Sequence, residues 1–278
     1  MTLQAQQQQI GADLGVAAHF DPATEIERRV AFLADYLVNT GLRAYVLGIS
    51  GGVDSLVAGR LAQLAVERVR ERGHNATFIA VRLPYGNQRD EAEAARALDF
   101  VAADESLRVD IAGPVDAQRE ALRAAGLQYR DDAQEDFVIG NVKARQRMIV
   151  QYAIAGARGG IVIGTDHAAE ALMGFFTKFG DGAADVVPLA GLTKRRVRAV
   201  GAALGAPQDL VMKVPTADLE TLAPGRPDED AFGITYAQID DFLEGNPVQQ
   251  DVAERLVQVY ANTAHKRALP VGPEPDAV

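Results

Sequence analysis

The stretch Ser50-Gly51-Gly52-Val53-Asp54-Ser55 follows the apolar run Tyr45, Val46, Leu47, Ile49 and precedes an amphipathic pattern, so it reads as a tight turn between a strand and a helix. Paired glycines let the backbone approach an anion, two serines add hydroxyl donors, and a helix N-terminus supplies partial positive charge. The expected ligand is a phosphate group; an ordinary strand-to-helix turn is the bland alternative. The run lacks the GK[ST] ending of a Walker A loop and misses the GxGxxG dinucleotide spacing. Asp54 would be repelled by a polyphosphate unless a cation stood between them, which points to magnesium, with capping of the following helix as the alternative. Asp166 and Glu170, four apart, would share a helix face and could add magnesium ligands or form a solvated acidic face.

From Phe175 to Lys194 two lysines, two aspartates and several glycines occur with little periodicity, the composition of a long functional loop. Thr193 reads as an N-cap, and Lys194, Arg195, Arg196 and Arg198 place cations against a helix dipole, which suggests an anion nearby or a solvated basic face. The clusters Lys143, Arg145, Arg147 and His265, Lys266, Arg267 could each bind a phosphate or lie on the surface. The four histidines lack metal-ligand spacing, and Ser50 and Ser55 lack triad partners, so zinc chemistry and serine hydrolysis are not expected.

These residues need a scaffold. Ile26, Val30, Leu33, Ala34 and Leu37 define a helix from Pro22, capped by Thr24 and Gly41, that feeds the first strand. Val57, Leu61, Leu64, Ala65 and Val69 define the helix after the glycine turn, stopped by Gly73. Strands are expected at Thr77 to Leu83, at an edge over Leu107 to Ile111, and near the sheet centre over Gly160 to Gly164. Helices are expected at Gln88 to Ala103, Val115 to Ala125 and, after a polar loop at Gln128 to Asp136, Val138 to Ala157, with a last helix carrying Val252, Leu256, Val259, Tyr260 and ending in His265-Lys266-Arg267. Strands separated by helices imply a doubly wound parallel α/β sheet of order 3-2-1-4-5, with a short fifth strand near Val186-Val187 and the ligand site where the order reverses between strands 1 and 4. The 278 residues read as one domain, with residues 1–20 an N-terminal extension containing a weak helix, packed or frayed at the surface, and residues 270–278 a disordered tail.

Composition excludes several classes. A formal charge of −10 disfavours a nucleic-acid partner, and without cysteine there is no disulfide, thiolate metal site or cysteine nucleophile. No window of 18 uncharged apolar residues and no signal-like N-terminus occur, so a soluble, cytoplasmic protein without membrane contact is expected.

The glycine turn resembles the SGGxDS loop of the ATP pyrophosphatases. Together GISGGVDS, AVRLPYG, GNVKARQRM, GTDHAAEALMGFFTKFGDGAADVVPL, GLTKR, PTADL and TAHKR, in this order, resemble the bacterial ammonia-dependent NAD synthetases over most of residues 25–269. The resemblance implies an adenine nucleotide alpha hydrolase-like fold with flanking N- and C-terminal helices, and a homodimer with the dinucleotide across its interface, for which the Val138 to Ala157 helix is the candidate. It implies ATP, magnesium, deamido-NAD and ammonia as reactants and cofactor, in the last step of NAD synthesis. By motif, ATP would meet Gly48, Ile49, Ser50, Gly51, Gly52, Val53, Asp54, Ser55, Arg82, Gln88, Thr165, Lys194 and Thr216, with Asp54, Lys194 and Thr216 catalytic and Asp54 and Glu170 on magnesium. Deamido-NAD would meet Tyr36, Phe137, Arg145, Lys178, Asp185, His265 and Lys266. The chain departs from the family pattern in its N-terminal extension and at Leu222 to Ala231. Without cysteine or room for an amidase domain, free ammonia is the expected nitrogen donor. An RNA-thiolating or other adenylating pyrophosphatase, and a nucleotide sensor without turnover, are the competing readings.

Overall fold

The structure is a computed structural model and describes residues 1–86, 91–216, 221–222, 225–268, 270 and 272. In chain order the elements are α1 (Leu3–Asp13), α2 (Pro22–Thr40), β1 (Ala44–Gly48), α3 (Val53–Glu71), β2 (Thr77–Arg82), α4 (Glu91–Val101), β3 (Glu105–Arg108), α5 (Ala112–Ala124), α6 (Asp132–Arg158), β4 (Gly160–Val162), α7 (Ala168–Met173), α8 (Lys194–Ala203), α9 (Gln208–Val211), α10 (Asp228–Phe232), α11 (Tyr236–Leu243), α12 (Gln250–Asn262) and α13 (Ala264–Arg267).

The four strands form a parallel sheet of order β3-β2-β1-β4. Because side chains alternate across a strand, Tyr45, Leu47, Phe78, Ala80 and Ile161 pack on one face with α2, α3 and α8, while Val46, Ile79, Val81 and Val162 pack on the other with α5 and α6. Each fully buried large side chain of this kind contributes about 2–3 kcal/mol. A third cluster, from Ile10, Leu172, Phe232, Ile239, Phe242 and Leu256, joins α1, α7, α10, α11 and α12 beside the sheet.

The expected fifth strand does not form. Val186 makes a single parallel bridge to Ile163, after which Pro188 lacks a backbone N–H and the chain turns, with Ala190 N–H donating to the Val187 carbonyl and Leu192 N–H to that of Leu189. β4 therefore ends the sheet instead of lying near its centre, and is buried on both faces with the 185–192 segment along its outer side.

Local signals explain other differences. Asp21, not Thr24, caps α2, accepting from both Thr24 N–H and Thr24 Oγ1 with Pro22 at the first turn; Gly41 ends it in the left-handed region at φ 68°. The polar run before Val138 is largely helix, because Asp131 accepts from Gln134 N–H and starts α6 at Asp132. β3 covers Glu105–Arg108 and sits at the edge, as its alternating exposure requires, and Val109 and Ile111 continue the ladder by donating to the carbonyls of Arg82 and Pro84. The first residues of the expected Gln88 helix lie outside the described residues; α4 follows from Glu91. The His265-Lys266-Arg267 cluster occupies the separate turn α13 after α12. The N-terminal helix is packed: Ile10 is buried and Gln7 donates to the carbonyls of Phe242 and Asn246. Among the described residues no helix is long and apolar enough to cross a membrane.

Candidate active site

Strand β1 delivers the glycine turn to the carboxyl end of the sheet. Gly48 N–H donates to Gln151 Oε1 at 2.7 Å, Ile49 is buried, and Gly51 turns the chain at φ 85°, with Ala94 of α4 so close that an added Cβ would touch it at 3.4 Å. Ser50 Oγ accepts from Gly52 N–H, and Ser55 Oγ donates to the Gly52 carbonyl and accepts from Ser50 N–H. Gly52 is the N-cap of α3 and no side chain caps that helix. Asp54 is thus freed from the capping role, and the first-turn amides keep their polarity for an anion.

Asp54 instead meets Lys194, the first residue of α8, whose Nζ lies 2.7 Å from Asp54 Oδ2 with only 1% of the residue exposed. Burial opposes both charges, yet each partner reverses the effect: Lys194 holds the Asp54 carboxyl below its ordinary range, and Asp54 and Glu170 hold the Lys194 ammonium above its own. His167, one residue before α7, completes the group. Its Nδ1 accepts from Glu170 N–H at 3.4 Å, and its Nε2 lies 3.4 Å from both Asp54 Oδ1 and Lys194 Nζ and 3.6 Å from Glu170 Oε1. Burial pushes this imidazole down to about 3, leaving it neutral.

Carboxylates crowd the same place. Burial and then the Asp54 charge push Glu170 well above its ordinary value, and burial, Asp181 and Asp54 push Asp166 up to about 7. Asp166 and Glu170 do not share a helix face, because α7 starts only at Ala168. One donor atom each from Asp54, His167 and Glu170 lie within 4.8 Å of one another, and Asp54 Oδ1 is buried without a hydrogen bond. An orphaned carboxylate oxygen beside a second carboxylate suits a hard divalent cation. His167 was not legible from histidine spacing; its signal is its place next to the carboxylates at the end of β4.

The basic start of α8 faces the protein's own anions. Asp240 accepts from the backbone N–H groups of Lys194 and Arg195, and Arg195 also bonds Asp241 and Glu244. Thr193 caps α8 as expected, accepting from Arg196 N–H. Two partners that the sequence did not reveal hold the surroundings: Arg29 donates to the carbonyls of Pro188 and Ala190, and the Tyr236 ring lies 5.1 Å from Lys194 Nζ while its hydroxyl bonds Asp228 at 3.0 Å.

A second group gathers around residues 174–182. Arg145 donates to the Lys178 carbonyl, Lys178 Nζ to the His265 carbonyl, and Lys266 Nζ to those of Gly174 and Phe176. Thr177 ties this loop to α6 by donating from its hydroxyl to Asn141 Oδ1, and its backbone N–H donates to Asp181 Oδ1. A third group lines a cleft of about 320 Å³ formed by Tyr36, Thr40, Leu42, Tyr152, Gly160 and Asp185, where Asp185 accepts from Tyr152 and from Val162 N–H. Arg82 is buried at the end of β2 and Thr165 is half-buried after β4. Phe137 is 60% exposed on α6, and Thr216 is exposed where it bridges Pro227; among the described residues neither side chain bonds to any of these groups. Gln88 lies outside the described residues.

Residues 25–270 match the family described as NAD synthase. A curated NH3-dependent NAD+ synthetase from Streptomyces coelicolor is 65% identical over 269 residues, covering 97% of this chain and 98% of that protein. The crystal structure of NAD+ synthetase from Burkholderia pseudomallei superposes with a TM-score of 0.85 at 63% identity, covering 97% of this chain and 98% of that one. NMN synthetase from Francisella tularensis superposes with a TM-score of 0.80 at 34% identity over 92% of this chain and all of its own. With a whole-chain match of this kind around the Asp54, Glu170 and Lys194 cluster, the chain belongs to the NAD synthase family.

Proposed function

We propose that the protein is an ammonia-dependent NAD synthetase, a ligase that uses ATP to convert deamido-NAD to NAD with release of AMP and pyrophosphate. The observation that carries this reading is the meeting of the uncapped glycine turn with the Asp54–Lys194 pair at the carboxyl ends of β1 and β4. Such a site binds a triphosphate end-on, with amides at one side and an ammonium at the other.

The chemistry follows from the groups present. A nicotinate carboxylate resists ammonia because its oxygen is a poor leaving group. Attack of that oxygen on the α-phosphorus of ATP breaks the bond to the β-phosphate oxygen and gives an acyl adenylate and pyrophosphate. Ammonia then adds to the acyl carbon, loses a proton, and AMP departs with the acyl oxygen. Lys194 offsets the charge growing on pyrophosphate, and the Ser50 to Ser55 turn orients the phosphates, so catalysis is positioning and charge neutralisation without a protein nucleophile. Asp54 and Glu170 would hold magnesium, which when bound neutralises phosphate charge that these carboxylates would otherwise repel.

In this reading Thr165, Arg82, Gln88 and Thr216 attend the ATP, with Thr216 beside Asp54 and Lys194 in the reaction. Arg145, Lys178, Asp185, His265 and Lys266 attend the dinucleotide, and the aromatic rings of Tyr36 and Phe137 stack near it. The exposure of Phe137, Phe32, Ile149 and Val187 favours a homodimer meeting over α2 and α6. One catalytic domain in the cytoplasm, with neither nucleic acid nor membrane as partner, completes the proposal.

The test incubates the protein with ATP and magnesium, with and without ammonium, offering deamido-NAD or nicotinate mononucleotide. AMP, pyrophosphate and NAD formed only with deamido-NAD and ammonium support the reading. Preferred amidation of the mononucleotide, the reaction type suggested by the name of the Francisella relative, would move the substrate assignment while leaving the adenylation chemistry intact.

A further inference from the structure

We infer that Asp240 of α11 is a positioning residue for Lys194, fixing the backbone from which the ammonium reaches the reacting phosphates; the inference rests on reading Lys194 as the ATP lysine. A lysine side chain is a flexible four-carbon stem, so where its charge can sit depends on where its Cα is held. Lys194 is the first residue of α8, the point in a helix where backbone N–H groups lack intrahelical partners and the chain most readily frays. Here that turn is closed. Asp240 Oδ1 accepts from Lys194 N–H at 3.0 Å and Oδ2 from Arg195 N–H at 2.7 Å, while Thr193 Oγ1 accepts from Arg196 N–H.

Asp240 is itself 2% exposed, and a carboxylate so buried is costly unless its oxygens are occupied. Both are. Its own position is set by α11, whose N-terminus carries a capping box between Thr235 and Gln238, and one turn further on Glu244 accepts from Thr193 Oγ1 at 2.8 Å and pairs with Arg196 at 3.1 Å. The same helix places Tyr236 against the Lys194 ammonium, so backbone and side chain of Lys194 are held from one element. The carboxylate stands where a helix N-terminus would otherwise attract a phosphate. α8 therefore presents to the nucleotide an ammonium and not its dipole.

The experiment is a double-mutant cycle on the full chain, using Asp240→Asn, Lys194→Met and both together, read by steady-state kinetics and single-turnover AMP formation with deamido-NAD, ATP and magnesium. Asparagine keeps one acceptor but turns an N–H donor towards a backbone N–H. Displacement of a reacting group by about 1 Å costs up to about 100-fold. The expected result is a 10- to 100-fold loss of kcat in Asp240→Asn, a KM for ATP changed less than about threefold, and no further loss when Asp240→Asn is added to Lys194→Met. Asp240→Glu, which keeps the carboxylate, should recover part of kcat and serves if the asparagine variant does not fold. Equal fold-losses from Asp240→Asn in both backgrounds, or unchanged kcat in Asp240→Asn, would overturn the inference while Lys194 keeps its role. Wild-type turnover in Lys194→Met would overturn the reading beneath it as well.

Discussion

Replacing Asp166 by asparagine should stabilise the cation-free protein at alkaline pH and leave it nearly unchanged in acid. Asp166 stands among Asp54, Glu170 and Asp181, with Lys266 the cation that counters it; burial and the Asp181 and Asp54 charges push it up to about 7 from the ordinary 3.8. Between those values the folded protein holds a proton that the unfolded chain does not, so stability falls as pH rises from about 4 to about 7 and the full cost applies above that. A change in proton affinity of that size corresponds to about 4 kcal/mol at 1.36 kcal/mol per tenfold. Asp166 is half-buried, so solvent screening removes roughly half of it, leaving about 2 kcal/mol. For a chain of this length that is a Tm gain of roughly 5 °C. Thermal unfolding with chelator at pH 8 and pH 5 reads the effect: Asp166→Asn should unfold about 5 °C above the wild type at pH 8 and only about 2 °C above it at pH 5. Magnesium at pH 8 should raise the wild type more than the variant. An equal gain at both pH values would mean a packing effect and refute the electrostatic argument.

Asp54→Ala should lower AMP formation by several orders of magnitude, on the scale lost when charge stabilisation is removed from a reacting phosphate, while circular dichroism shows a folded protein; near-normal turnover would sink the proposed magnesium role. Gly191→Ala should destabilise by about 2–4 kcal/mol in urea unfolding, because Gly191 has φ 78° and an added Cβ would lie 2.5 Å from the Gly15 carbonyl oxygen. Deleting residues 1–17 should lower Tm by several degrees, since it removes buried Ile10, the Gln7 bonds to α11 and its following turn, and the Ala17 carbonyl to which Arg196 donates.

The sheet is largely legible because its residues announce themselves locally: the continuous apolar runs of β1 and β2, the edge pattern of β3, and a glycine turn followed by a helical stripe. What failed was decided by contacts across the chain. A fifth strand at Val186-Val187 looks plausible from β-branched residues, but Pro188 and the following turn stop the ladder after one bridge. Thr24 is as good a cap by type as Asp21, and only the position of Pro22 and the bond made by Asp21 separate them. Within the site, Asp54, Glu170 and Lys194 follow from motifs, yet His167, Asp228, Tyr236 and Asp240 do not, since most of their partners stand far along the chain and none follows a spacing rule. No composition argument could find them.

The basic start of α8 shows how such contacts change the meaning of a sequence feature. Four cations over Lys194 to Arg198 oppose a helix dipole, which leaves two readings open, an anion nearby or a solvated basic face. The anions prove to be Asp240, Asp241 and Glu244, which hold Arg195, Arg196 and the backbone while Lys194 turns towards Asp54. There it finds Asp54 in a cluster where carboxylates outnumber the lysines that reach them. A polyphosphate entering this place without a cation meets the Asp54 carboxylate and the carboxyls of Glu170 and Asp166, whose crowding opposes their ionisation until a cation shares them. The acidic cluster and the phosphate-binding turn are compatible only if substrate and cation arrive together. On that argument ATP should protect the protein against heat far better with magnesium than without it, and equal protection by free ATP would separate the cluster from nucleotide binding.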